Sequence, residues 1–330
     1  MPTGFGRLKR VRIIYGFCFN SPSTAKTTAM KNCILRAHHK LVYGSLLKFC
    51  LLILWAGTAN AEPKSSERSV TLSSGANATL KLPPAKSSAR GMVIMIHGWS
   101  GQKDEVGDLF KRQAEALAER NIASLRMNIR GESEREATNY RLTSTFVSRV
   151  QDAQAGVDWT TRHFSQLPIG LLGFSYGGAT AMELISQQPG LYKTLVLWSS
   201  ILNPNELLLD QPAEPFRQAL ETGEGAIQDW TTLLITREHV LGMIGFNPMR
   251  GLPQYRGALL SLRGSEDSVP QHDPEILKHA GGTRLEYRIL QGADHIFNAF
   301  DPTKRYGERI IAQTAGWFEQ TLPAIEAASD

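Results

Sequence analysis

The chain has 330 residues, with 36 Lys and Arg against 31 Asp and Glu and a formal net charge of +5. The first sixty residues hold nine of the basic side chains and no acidic one, so the remainder keeps 36 less 9, or 27, basic groups against 31 acidic ones, net −4. The basic balance therefore belongs to a leader and is no nucleic-acid footprint; and because Cys18, Cys33 and Cys50 all lie in that leader, the rest of the chain has no thiol for catalysis, metal binding or disulfides.

Within the leader, Phe49 to Trp55 (FCLLILW) is an apolar run, well short of the ~20 residues a membrane span needs. It follows a positive region and precedes Ala59, Asn60 and Ala61, a small-x-small site. These are the parts of a secretory signal over residues 1–61, with translation expected to start at Met30 and cleavage after Ala61. The mature protein is then expected in the periplasm or the medium, with no stable membrane anchor. Residues 62–330 have the length of one large domain built on a single sheet.

In chain order, Ser69 to Ser73 and Ala78 to Leu82 alternate around a turn and read as an opening hairpin. Met92 to Ile96 (MVIMI) is continuously apolar, as a strand buried on both faces requires. Val106, Leu109, Phe110, Leu117 and Ala118 fall near helical spacing, and Ile122 to Ile129 reads as the next strand. A second helix is marked by Phe146, Val150, Ala153, Val157 and Phe164. Further strands are predicted at Thr194 to Trp198, Ala258 to Leu262 and Leu285 to Leu290, and a closing helix at Tyr306 to Leu322. Strands alternating with helices imply a mostly parallel sheet, with chemistry at the strands' carboxyl ends.

Between the second helix and Thr194 stands PIGLLGFSYGGATAMELISQQ, residues 168–188. It is an apolar strand, the pentad Gly173-Phe174-Ser175-Tyr176-Gly177, and at once a run of helix formers. GxSxG at a strand-to-helix corner is a nucleophile elbow, which marks Ser175 as the candidate nucleophile. The elbow demands an acid and then a histidine, each just after a later strand. Asp267 follows the strand ending at Leu262, with Glu266 as an alternative acid, and His295 follows the strand ending at Leu290. His295 is the candidate base and Asp267 the group that orients it. The first buried strand runs into His97-Gly98-Trp99-Ser100-Gly101, so the backbone N–H groups of Trp99 and Tyr176 are candidates for an oxyanion hole. His97 is expected to be structural and Asp294 a turn residue. His163, His239, His272 and His279 show no metal-ligand spacing.

HGWSG at 97–101 with Asp104 and Glu105, GFSYGG at 173–178 and GADHIF at 292–297 together resemble the α/β-hydrolase superfamily, in the branch of feruloyl-type esterases and serine-aminopeptidase-like hydrolases. The resemblance covers essentially all of residues 62–330. It implies an α/β-hydrolase fold: an eight-stranded, mostly parallel sheet with helices on both faces and a small cap insertion. It further implies no cofactor and Ser175, Asp267 and His295 as the triad; the expected substrate is a small-molecule carboxylic ester, and no metal is expected. Peptidase or amidase activity on the same triad, and a catalytically silent binding protein, are the alternatives. Haloalkane dehalogenases and dienelactone hydrolases resemble the fold but carry Asp or Cys where Ser175 stands. The turn at Arg130 to Ser133, with Asn128 where an Asp is common, departs from the family's pattern. The cap is assigned to about 201–256, where Trp230, Leu233, Leu234, Leu241 and Ile244 recur at helical spacing. Trp230, Leu234 and Phe246 are expected to line an apolar acyl pocket.

Overall fold

The opening hairpin forms as read from the alternation. Strand β1 (Ser66–Thr71) pairs antiparallel with β2 (Asn77–Leu82) around a turn at Gly75, whose φ is 87°. The computed structural model describes residues 65–84, 88–132, 140–210, 213–228 and 232–323; the expected signal at 1–61 lies outside them, as does Trp230.

The sheet grows from β3 (Met92–Ile96), every residue of which is buried. Met92, Ile94 and Ile96 face one apolar core and Val93 and Met95 the other, so the uninterrupted apolar run is the signature of a strand covered on both sides. The other strands are β4 (Ala123–Met127), β6 (Ile169–Phe174), β7 (Tyr192–Trp198), β10 (Ala258–Gly264) and β11 (Leu285–Leu290). The order is β1-β2-β4-β3-β6-β7-β10-β11, parallel throughout except for the pairings of β1 with β2 and of β2 with β4.

Helices cover both faces. On one, α1 (Leu109–Ala118) and α7 (Tyr306–Thr321) contribute Phe110, Leu117, Ile310, Trp317 and Phe318. On the other, α2 (Phe146–His163) and α3 (Tyr176–Gln187) contribute Phe146, Val150, Ala179 and Leu184. Thr145 caps α2 through a reciprocal box with Ser148, satisfying two otherwise orphaned donors. The eight-stranded, mostly parallel sheet with helices on both faces is therefore observed.

The segment between β7 and β10 differs from the helical expectation. It holds α4 (Leu207–Asp210), α5 (Ala213–Thr222), β8 (Glu224–Gln228), β9 (Thr232–Thr236) and α6 (Arg237–Leu241). Leu233 and Leu234 are thus strand residues. Within TLLIT, Leu233 and Ile235 are fully buried while Leu234 between them is half-buried, a period of two that a short apolar run hides when read at helical spacing. The sheet of this segment also takes in a strand from outside residues 201–256. β9 pairs parallel with β5 (Tyr140–Leu142), which precedes α2, and antiparallel with β8. Leu142, Phe216, Ala219, Ile227, Leu233, Ile235 and Val240 form a separate small core beneath this three-stranded sheet.

Candidate active site

Ser175 occupies the corner between β6 and α3 with φ 52° and ψ −116°, a conformation that costs a residue with a Cβ roughly 1–3 kcal/mol. Two glycines allow it. A Cβ on Gly173 would lie 2.4 Å from the Gly177 carbonyl oxygen, and one on Gly177 would lie 2.0 Å from that of Ile96. The backbone is further fixed by the Ser175 N–H, which donates to the Trp198 carbonyl at 2.8 Å.

The loops after β10 and β11 bring the other two residues to this corner. His295 Nε2 is 3.1 Å from Ser175 Oγ, and His295 Nδ1 is 2.8 Å from Asp267 Oδ1. Nδ1 facing a carboxylate carries the proton, which leaves Nε2 free to accept the serine proton. The His295 ring lies 5.2 Å from that of Phe174, while its side chain stays 24% exposed. Glu266, the alternative acid, is exposed; its N–H donates to the Ala293 carbonyl, and Asp267 is the residue that meets His295. Asp294 is a turn residue, accepting from the N–H groups of Ile296 and Asn298.

The Asp267 side chain is only 1% exposed. Burial alone would push its carboxyl up. The hydrogen bond and charge of His295, then the Arg263 guanidinium and the Val269 N–H, more than reverse this and hold it below the ordinary carboxylate range. Arg263, itself buried, donates from all three of its guanidinium nitrogens. It donates to Asp267 at 2.8 Å, to Asp273 at 2.6 Å, and to the carbonyls of Val269 and Ser200 at 2.9 and 2.7 Å. Asp273 also accepts from Ser261. This clamp of the acid loop was not read from the sequence, where its one signal is an arginine at the end of an apolar strand.

Facing Ser175 is the loop His97 to Gly101. Among the described residues, the N–H groups of Trp99 and Tyr176 have no hydrogen-bond partner, as donors meant for a ligand oxygen require. The loop is held from several sides. Glu105 accepts from the Gly98 and Val106 N–H groups. His97 Nδ1 donates to the Gly98 carbonyl at 2.7 Å, and its Nε2 accepts from the Ile129 N–H at 3.1 Å. That arrangement makes His97 a neutral structural residue, as expected.

Beneath the loop lies a buried ion pair of Arg149 and Glu132. Arg149 donates to the His97 carbonyl at 2.7 Å and sits over the Tyr176 ring, 4.3 Å from its centroid, so one guanidinium supports both candidate oxyanion donors. Burial would raise the Glu132 carboxyl, but the Arg149 guanidinium and the Ser144 hydroxyl bring it below the usual range. The turn that departs from the family's pattern is thus where Glu132 enters the core. Arg149 lies three residues after Phe146, on the helix face that α2 buries; a charge on an apolar face was the signal available.

The expected acyl-pocket residues are less gathered. Phe246 packs edge-on against Phe146 at 4.7 Å, and Phe146 in turn against Tyr176. It lines a cavity of about 540 Å³ with Ser73, Arg130, Val147, Gln154 and Glu183, on the outer side of α2 and α3, and none of Ser175, Asp267 and His295 lines that cavity. An apolar residue in the insertion is as well suited to packing the insertion onto α2 as to lining a pocket. Leu234 is half-buried on the opposite face of β9 from the small core.

A model of the family described as Serine aminopeptidase, S33, matches residues 87–244, a span that holds Ser175 and the loop of Trp99 and stops before Asp267 and His295. No curated protein matches the chain. Among solved structures, Est1E from Butyrivibrio proteoclasticus is similar at 17% identity and a TM-score of 0.59, covering 78% of this chain and 99% of that one. An esterase domain from a Rhodothermus marinus protein is similar at 17% identity and a TM-score of 0.57, covering 78% and 98%. A dienelactone hydrolase from Anabaena variabilis follows at 16% identity and a TM-score of 0.53, covering 79% and 100%. The chain is an α/β hydrolase by fold, similar over residues 87–244 to the serine aminopeptidase S33 family.

Proposed function

We propose that this protein is an exported serine esterase that cleaves small carboxylic esters through an acyl-enzyme. The observation that carries the reading is the chain of contacts from Ser175 through His295 to Asp267, at 3.1 and 2.8 Å, beside two uncommitted backbone donors. As Ser175 Oγ attacks the ester carbonyl, its proton passes to His295 Nε2, and the N–H groups of Trp99 and Tyr176 receive the negative charge on the carbonyl oxygen. The proton then goes to the departing alcohol as the C–O bond breaks. A water molecule repeats the sequence on the acyl-serine and releases the acid. Asp267, kept ionised by Arg263, stabilises the imidazolium formed in each half-reaction.

Amide cleavage is the second reading, favoured by the family model's description as a serine aminopeptidase. Esters are placed first because a peptidase needs, besides the same triad, a site for the substrate's amine, and the insertion's apolar residues suit an acyl or aryl group. The test is labelling with a fluorophosphonate probe, followed by parallel panels of nitrophenyl and hydroxycinnamoyl esters and of aminoacyl anilides. The hydroxycinnamoyl esters are included because ferulic acid is bound in a structure of Est1E. Probe labelling with ester turnover supports the reading, anilide turnover exceeding ester turnover replaces it with the second, and no labelling rejects both.

A further inference from the structure

His239, which shows no metal-ligand spacing in the sequence, is buried and holds a residue of the oxyanion-side loop. The Trp99 Nε1–H donates to His239 Nε2 at 2.9 Å, and the rings lie 6.1 Å apart. An indole nitrogen only donates, so Nε2 is unprotonated. On the other side of the ring, Nδ1 is 2.6 Å from the Ser144 carbonyl, which only accepts, so Nδ1 carries the hydrogen. One neutral tautomer satisfies both contacts, and burial, which lowers the affinity of His239 for a second proton, favours it.

The insertion delivers this ring. The Thr236 hydroxyl caps α6 by accepting the His239 N–H and donates to the Leu142 carbonyl, so β5, β9 and α6 fix where the imidazole stands. Ser144, whose carbonyl His239 contacts, donates its hydroxyl to Glu132 at 2.5 Å. Glu132 pairs with Arg149, and Arg149 holds the His97 carbonyl. The Trp99 side chain also packs against both the main core and the small core of the insertion. The segment carrying the Trp99 N–H is thus gripped at His97 by α2 and at Trp99 by the insertion.

We propose that His239 is a positioning residue for the oxyanion hole: by accepting the Trp99 indole N–H, the insertion holds the Trp99 backbone N–H in line with the reacting carbonyl oxygen. The inference rests on the esterase reading. Its consequence is that the insertion governs turnover through the oxyanion-side loop, in addition to any part it has in selecting substrates.

The test compares His239→Leu, His239→Gln, Trp99→Phe and the double variant Trp99→Phe/His239→Leu. Measured are kcat and KM on a nitrophenyl ester, inhibition by a trifluoromethyl ketone whose serine adduct places an oxyanion in the hole, and near-ultraviolet circular dichroism to establish folding. Misplacing a donor costs turnover rather than ground-state affinity, so His239→Leu is expected to lower kcat about tenfold or more with KM within about twofold. The ketone should weaken by the same factor. His239→Gln, whose amide oxygen accepts near the position of Nε2, is expected to recover most of the loss. Trp99→Phe should match His239→Leu, and the double variant should be no worse than the poorer single, because both remove one interaction.

A folded His239→Leu with wild-type kcat, a loss confined to KM, or multiplying losses in the double variant would overturn the proposal. Should His239→Leu fail to fold, Trp99→Phe and His239→Gln decide by the same criteria. An active wild type with indifferent variants rejects the positioning role alone, whereas a wild type inert to the esters and to fluorophosphonate rejects the esterase reading and this inference with it.

Discussion

Ser175 illustrates how a single residue holds strain for the sake of its hydroxyl. Its positive φ is one that glycine adopts freely and any residue with a Cβ, alanine included, adopts only at a cost. Ser175→Ala and Ser175→Gly should both abolish ester turnover, but the glycine variant should be the more stable of the two by about 1 kcal/mol or more, read from urea denaturation. Asp267 makes a pH-dependent prediction. Its carboxyl is held below the ordinary range when folded, so the stability it contributes is complete above the unfolded value of about 4 and is lost as pH falls through the lower folded value. The stability gap between wild type and Asp267→Asn should therefore be full at neutral pH and close only in strong acid. Asp267→Asn should lose turnover by about 10³-fold or more, as orientation of the base is lost. Glu266→Gln, at an exposed carboxylate that does not touch His295, should stay close to wild type in the same assay.

At the scale of elements, α2 is more than a cover for the sheet. Its apolar face carries Arg149 into the core, where the guanidinium meets Glu132, the His97 carbonyl, the Thr180 hydroxyl and the Tyr176 ring. Removing one member of a buried pair strands the other, so Arg149→Met should destabilise the fold by about 3–5 kcal/mol. The double variant Arg149→Met/Glu132→Leu should recover much of that stability, since no lone charge remains. Turnover should not return with it, because the His97 carbonyl and the Tyr176 ring have still lost their support. Denaturant midpoints and kcat measured on the same three proteins separate the two effects; recovery of both together would show that Arg149 serves stability alone.

For the whole molecule, the leader and the folded domain make separate demands. The expected export signal predicts a mature amino terminus at Glu62, which amino-terminal sequencing of protein recovered from the periplasm or medium tests; a membrane-retained product still carrying residues 1–61 would refute it. No described helix is long and apolar enough to cross a membrane. The sheet and most of its helices were legible in the sequence because they rest on local patterns. MVIMI must be covered on both faces wherever it lies, and GFSYG admits few turns other than the one that Gly173 and Gly177 make possible. Chain order then narrowed the acid to the turn of Glu266 and Asp267, and the base to His295. Where β5, β9 and β8 form was not legible, because TLLIT is too short for its period to distinguish strand from helix, and its neighbour β5 comes from about ninety residues upstream. Nor could the sequence determine which charges lie beneath the site. Arg149 and Arg263 stand out only as charges within apolar patterns, Glu132 and His239 not at all, and only the tertiary structure decided their roles. Burying a charge or an imidazole is tolerable only when partners from distant segments converge on it, and that convergence is a property of the fold rather than of any local stretch.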